Sequence, residues 1–204
     1  MVITITRTAQ PISEGEKSGF RRRLLDGLAK AIRDKGLARA QITDIVANAR
    51  TSNRTFYECF ADKEACFEAL IEEWGEEILA AVEAATDPEA PWQEQVDASV
   101  DAYLGAFAAD PSLTVTVTRE LPTLGQRGVE WQERDIDRYV DLMERMTATR
   151  AMRDAGVEPV SRETAMMLIG GIAELLDRVT REGRSPDSIA ATVKKVIKRV
   201  IGPG

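Results

Sequence analysis

Asn53, Arg54, Thr55, Tyr57 and Glu58 are interleaved with only three apolar positions, Phe56, Cys59 and Phe60. Residues three and four apart share a helix face, so those three can turn inward together. Amide, guanidinium, hydroxyl and phenol groups are then left outside. Such a face is suited to hydrogen-bonding: an amide can pair with adenine N6 and N7, and a guanidinium with guanine O6 and N7, each worth ~1–3 kcal/mol of discrimination. Catalytic chemistry is poorly supplied by comparison. The chain contains no histidine, which excludes Ser-His-Asp and Cys-His arrangements and the common zinc sites. It has no Gly-rich phosphate loop either, and the reading is of a protein that is not an enzyme.

A polar helix of this kind needs a second element to hold it. Ile42, Ile45, Val46 and Ala49 recur at i, i+3, i+4 and i+7, which predicts a preceding helix with one narrow apolar face. Arg50, Thr51 and Ser52 interrupt that pattern, and Ser52 can cap the helix that follows. Two short helices with a tight turn form the helix-turn-helix pattern, whose second helix enters the DNA major groove. An ordinary helical hairpin inside a bundle shows the same bare pattern.

The longer string TSNRTFYECFADKEACFEAL distinguishes the two, because it resembles the DNA-binding domain of the tetracycline-repressor (TetR) family. Ile45, Ala49, Ser52, Thr55, Phe56, Tyr57, Phe60, Lys63, Glu64 and Phe67 carry the resemblance, together with a length near 200 residues. It implies that Tyr57 and Lys63 grip phosphates, that Asn53 and Arg54 lie near base edges, and that Thr43, Ser52 and Thr55 complete the contact surface with double-stranded DNA. Three departures stand out. Arg50 occupies a turn position usually held by Gly, Glu58-Cys59 replaces a usual His, and Gln41 stands where a capping Thr is common. If Arg50 needs a positive φ, strain of ~1–3 kcal/mol results.

The resemblance also implies an all-α fold: a three-helix DNA-binding domain over 13–62 and a helical ligand-binding and dimerisation domain over 63–204. A cytoplasmic homodimer would read a near-palindromic operator through two helices ~34–36 Å apart. A small, largely apolar effector would sit among the helices of the second domain. Candidate pocket residues are Tyr103, Phe107, Trp131, Tyr139, Met143 and Met166, with threonines 114, 116 and 118 nearby; Met and aromatic stripes of this kind also serve as plain core. Gly170, Gly171, Leu175, Val193 and Ile197 are the candidate dimer interface. Control by a protein partner, with no small-molecule effector, is the alternative regulatory reading. No cofactor or metal is expected.

Charge distribution agrees with a split molecule. The net charge is −7, yet residues 1–70 carry 12 Lys and Arg against 9 Asp and Glu, while residues 71–204 carry 15 against 25. The positive share coincides with the polar helix. At only +3 per subunit, DNA affinity should depend on dimerisation and on salt. No stretch approaches the ~20 apolar residues of a membrane span, and MVITITRT lacks the basic start and apolar run of a signal peptide. Cys59 and Cys66 read as small core residues.

The remaining pattern is helical. Residues 1–12 read as an arm, Ser13 and Glu16 have capping-box spacing, and Phe20, Leu24, Leu25, Leu28 and Ile32 form a stripe ending at Gly36. Phe67, Leu70, Ile71, Trp74, Ile78 and Val82 form a seam too long for the first domain alone, which predicts a helix linking both. Glu72, Glu73, Glu76 and Glu77 read as its solvated face. Leu113–Thr118 alternates like a strand but has nothing to pair with, so a short helix is expected. Pro122, Gly125 and Gly128 predict a loop. Gly170-Gly171 inside a helix costs ~1 kcal/mol per glycine, which suggests close approach by another helix.

Overall fold

Five of the described helices start at a side-chain cap. Ser52, Asp62, Asp110, Thr149 and Ser161 each accept from the backbone N–H three residues on, satisfying one of the donors that the first helical turn leaves orphaned. The resulting computed structural model describes residues 14–203. Its ten helices are α1 (Glu14–Lys35), α2 (Ile42–Asn48), α3 (Asn53–Cys59), α4 (Lys63–Ala85), α5 (Trp92–Ala109), α6 (Pro111–Arg119), α7 (Gln126–Thr147), α8 (Arg150–Asp154), α9 (Arg162–Arg181) and α10 (Ala190–Ile201). Short 3-10 turns at Leu121–Leu124 and Pro186–Ile189 precede α7 and α10, and the described residues contain no strand. The arm over 1–12 and the Ser13 cap lie outside the described residues.

The alternating segment is helical, as its isolation requires. Asp110 caps α6, Pro111 occupies its first turn, and Leu113, Thr114 and Thr116 are buried. Tertiary packing on one face has overridden the β-propensity of Thr and Val. The loop predicted through Gly128 is shorter than its glycines suggest: α7 already begins at Gln126. Gly128 serves inside the helix, where a Cβ would stand 2.2 Å from the Leu121 carbonyl oxygen.

Apolar burial collects in three clusters, and α4 belongs to two of them. Its first half contributes Cys66, Phe67, Leu70 and Ile71 to a cluster with Leu24, Leu28, Ile45 and Phe56 of α1–α3. Its second half contributes Ile78 and Val82 to a cluster with Phe107, Tyr139, Val140 and Ile169. The third cluster joins α5, α8, α9 and α10 through residues such as Val100, Met152, Ile172 and Ile197. One unbroken helix therefore touches the interior of both ends.

Ionic links follow the same course. Glu68, Glu72 and Glu83 of α4 meet Arg127, Arg138 and Arg145 of α7 at 2.7, 2.6 and 2.8 Å, and Glu73 meets Arg22 of α1. The carboxylates expected to be merely solvated are thus largely paired. Each exposed pair contributes only ~0–1 kcal/mol, so their effect is to register α4 against its neighbours. Both cysteines are free thiols, and burial pushes Cys66 up to about 12.

Candidate functional site

The polar helix α3 is held by a small set of local contacts. Phe56 and Phe60 are buried and their rings lie 5.8 Å apart. Ser52 Oγ accepts from the Thr55 N–H at 3.2 Å and meets Thr55 Oγ1 at 3.0 Å, so both hydroxyls shape the helix start. Asn53, Arg54 and Tyr57 project outward, Tyr57 with 60% of its surface exposed. Thr43, in the first turn of α2, is exposed as well. Arg54 Nε donates to Glu58 Oε1 at 2.9 Å, which orients the guanidinium in the free protein and obliges any base to compete for it.

The turn before α3 has defined geometry. The Thr51 N–H donates to the Val46 carbonyl at 2.9 Å and the Arg50 N–H to the Ala47 carbonyl at 3.2 Å. These are the two bonds of a Schellman ending, which places Arg50 in the left-handed region at φ 50°. At Gln41 the helix start is reinforced from the other side: Asp44 Oδ2 accepts from the Gln41 N–H at 2.8 Å. The Lys35 ammonium beside Asp44, with that backbone bond, holds its carboxyl below the usual range.

Lys63 lies differently from a free phosphate ligand. Its Nζ donates to the carbonyls of Leu37 and Ala40 at 3.0 and 3.2 Å, committing two of its three N–H groups to the α1–α2 connection. Sequence reasoning also missed what braces α2 from behind. Gly27 lets α1 and α2 cross so closely that a Cβ there would stand 2.6 Å from the Ile45 carbonyl oxygen, and Asn48 Nδ2 donates to the Gly27 carbonyl at 3.0 Å. From farther along the chain, Glu120 accepts from the Ala38 N–H at 2.8 Å and Asp110 pairs with Arg33 at 2.9 Å. These partners are 82 and 77 residues apart, and no local pattern signals them.

A cavity of about 100 Å³ opens among α4, α5, α7, α9 and α10. Tyr103, Tyr139 and Met143 line it. Met146, another methionine of the α7 stripe, lines it as well, and so do Met152 and the inward residues of α10, which the sequence did not point to. The other candidates lie elsewhere. Trp131 sits two helical turns before Tyr139, ~12 Å along the axis of α7, and is buried with Leu113 and Leu121 in the cluster around α1–α3. Phe107 stands behind Tyr103, its ring 4.9 Å from that of Trp74. Met166 is on the outer face of α9, since Ala165, Leu168, Ile169 and Ile172 take the inner one. The threonine-bearing α6 does not line the cavity; Thr114 instead donates to the Phe107 carbonyl at 2.6 Å.

The interface candidates also divide. Val193 and Ile197 are turned inward, lining the cavity, because the i, i+4 face of α10 that includes Ile201 packs on α5 and α9. The outer residues of that helix are Val196 and Val200, both about half exposed. On α9, Gly170 and Gly171 have open space where a Cβ would stand, and Met167 and Leu175 share that outer face. Among the described residues of the protomer no helix covers it.

Among the described residues no group of three or more His, Cys, Asp or Glu could hold a metal ion, and no helix is long and apolar enough to cross a membrane.

Residues 24–70 match the family described as bacterial regulatory proteins, tetR family. No curated protein matches the sequence. Among solved structures, a transcriptional regulator FadR from Bacillus subtilis in complex with stearoyl-CoA is similar at TM-score 0.72 and 16% identity, over 86% of this chain and 96% of that one. A tetR-family transcriptional regulator from Pectobacterium atrosepticum is similar at TM-score 0.72 and 22% identity, over 93% and 95%. A fatty acid degradation regulator FadR from Bacillus halodurans is similar at TM-score 0.68 and 15% identity, over 92% and 96%.

Proposed function

We propose that this chain, which belongs to the tetR family of bacterial regulatory proteins through its residues 24–70, is a repressor released from DNA by a small apolar effector. In this reading two copies bind a near-palindromic operator. Asn53 and Arg54 read base edges, Tyr57 and Thr43 contact phosphates, and Ser52 and Thr55 fix the start of α3. Lys63 has one donor left for a phosphate while bracing the α1–α2 connection.

One observation carries the regulatory half of the reading: α4 contributes Phe67 and Ile71 to the core beneath α3, and Val82 to the cavity wall. A molecule that enlarges the cavity presses on Val82, and the displacement reaches the base of α3 through the same helix. Occupancy shifts the equilibrium only if the effector binds the DNA-incompetent arrangement more tightly. The similarity to a FadR solved with stearoyl-CoA supports an apolar ligand class, though this cavity as it stands would have to widen for a long acyl chain. Its wall includes Met143, Met146 and Met152, whose unbranched side chains repack readily. The outer face formed by Met167, Leu175, Val196 and Val200 is the surface available for the second copy.

Binding-site selection on random duplexes, followed by footprinting, tests the DNA half. A protected two-fold sequence with half-sites about one helical turn apart is expected. Operator affinity measured with and without a cavity ligand tests the other half, and unchanged affinity at saturation would sink it.

A further inference from the structure

The polar side chains that line the cavity fall into two groups. Gln95 gives its amide to the carbonyls of Pro88 and Ala90, Ser99 donates to the Gln95 carbonyl, and Thr147 donates to the Met143 carbonyl while accepting from the Val160 N–H. Those groups have no donor left for a ligand. Tyr103 and Tyr139 differ: their rings meet edge-on at 5.1 Å, and among the described residues neither phenol makes a hydrogen bond. Burial, with Asp135 nearby, pushes both phenols upward, so they remain protonated donors.

Behind the phenols lies a charged cluster. Asp135 is one helical turn before Tyr139 on α7, and α4 presents Gly75 to it. A Cβ on that glycine would stand 3.1 Å from Asp135 Oδ1 and 4.0 Å from Arg138 Nη1. Both of those atoms are buried without a hydrogen-bond partner among the described residues. Arg138 Nη2 donates to Glu72 at 2.6 Å, so the guanidinium near Asp135 is already paired, and the group of two carboxylates and one guanidinium is net negative. Burial raises the Asp135 carboxyl to about 6, with Arg138 opposing the rise, and it is therefore charged at neutral pH.

We propose, resting on the effector role of this cavity, that its occupant is an uncharged apolar molecule with one carbonyl or hydroxyl oxygen, which accepts from Tyr103 and Tyr139, while Asp135 rejects anionic head groups. An anion entering here would lose its hydration beside a net-negative cluster whose one guanidinium is already paired with Glu72. A carbonyl loses little hydration and satisfies two buried donors. Size points the same way: a cavity of ~150 Å³ holds benzene, so about 100 Å³ with flexible methionine walls suits a compact molecule.

Three probes of nearly equal size separate the possibilities by calorimetry at pH 7.5: acetophenone, benzoate and ethylbenzene. The full-length protein should bind acetophenone at least ~10-fold more tightly than benzoate. Replacing both phenols (Tyr103→Phe with Tyr139→Phe) should weaken acetophenone ~5–10-fold and leave ethylbenzene unchanged, because only the hydrogen bonds are removed. Asp135→Asn should narrow the benzoate penalty several-fold, with thermal unfolding confirming that each variant is folded. Benzoate binding as tightly as acetophenone, or acetophenone indifferent to loss of the phenols, overturns the head-group assignment while leaving the cavity a ligand site. Failure of all three probes to bind at millimolar concentration overturns the effector role itself.

Discussion

The two ends of α4 are packed to different standards. Around its first half the interior is closed: Phe56, Phe67, Ile45 and Leu28 are fully buried, and the groups that could meet a ligand all project from the outside of α3. Around its second half the helices leave empty space, and the groups that could meet a ligand point inward. A rigid surface suits recognition of a stiff duplex. A yielding interior suits a small molecule that must change the structure on entry, since close-packed cores transmit a displacement rather than absorb it.

Truncation on the two sides breaks that contrast most severely. Phe56→Ala should cost ~3–5 kcal/mol, read as a lower midpoint in urea unfolding, and should abolish operator binding because α3 loses its anchor. Met143→Ala, at a half-buried position already bordering empty space, should cost ~2 kcal/mol, the low end of the range for core truncation. Equal costs would mean that the cavity end is as tightly packed as the other.

Next in size is the charge beside the two phenols. The Asp135 carboxyl is raised from 3.8 to about 6 by burial, so the folded state binds a proton more readily than the unfolded chain. Its favourable contribution is present below pH 4 and is lost as pH rises through 6. At 1.36 kcal/mol per pKa unit, discounted for partial exposure, the ionised group costs ~2 kcal/mol at pH 7.5. Asp135→Asn should therefore raise the melting temperature by several degrees at pH 7.5 and by about half of that or less at pH 4.5. A gain independent of pH would show that the carboxylate is not the source of the penalty.

The contrast also explains what could be read in advance. The α3 surface was legible because exposed polar residues between Phe56 and Phe60 follow from helical spacing alone, and the helix-linking role of α4 followed from the length of its apolar seam. The cavity was half legible. Tyr103, Tyr139 and Met143 carry a recognisable composition, but a void is defined by where separate helices stop short of one another. Nothing local to Trp131 says that it lies two turns too far along α7, and Val193 and Ile197 could not be told from Val196 and Val200 until the inner face of α10 was fixed. The contacts of Glu120 with Ala38 and of Asp110 with Arg33 were invisible for the same reason.

On the duplex-facing side, Asn53→Ala should reduce discrimination between operator and mismatched sites by ~1–2 kcal/mol with little change in binding to random DNA. Tyr57→Phe should weaken both by less than that, in equal proportion. Loss of affinity with preserved preference at Asn53 would remove it from the set of base readers. Because Lys63 braces the Leu37 and Ala40 carbonyls, Lys63→Ala should lower stability as well as affinity, and urea unfolding separates the two.

The smallest effect belongs to the turn that sets the angle of α3. Three helices here end in the same pair of backbone bonds; glycine takes the left-handed position at Gly156 and Gly183, and Arg50 takes it after α2. A side chain at φ 50° costs ~1 kcal/mol through contact of its Cβ with the backbone. Arg50→Gly should thus stabilise the protein by up to ~1 kcal/mol, less the entropy that glycine returns to the unfolded chain. Should operator affinity fall although stability rises, the exposed guanidinium of Arg50 is itself a phosphate contact, and its strain persists because the duplex interaction compensates for it. If affinity is unchanged, the residue is only a tolerated substitute for glycine.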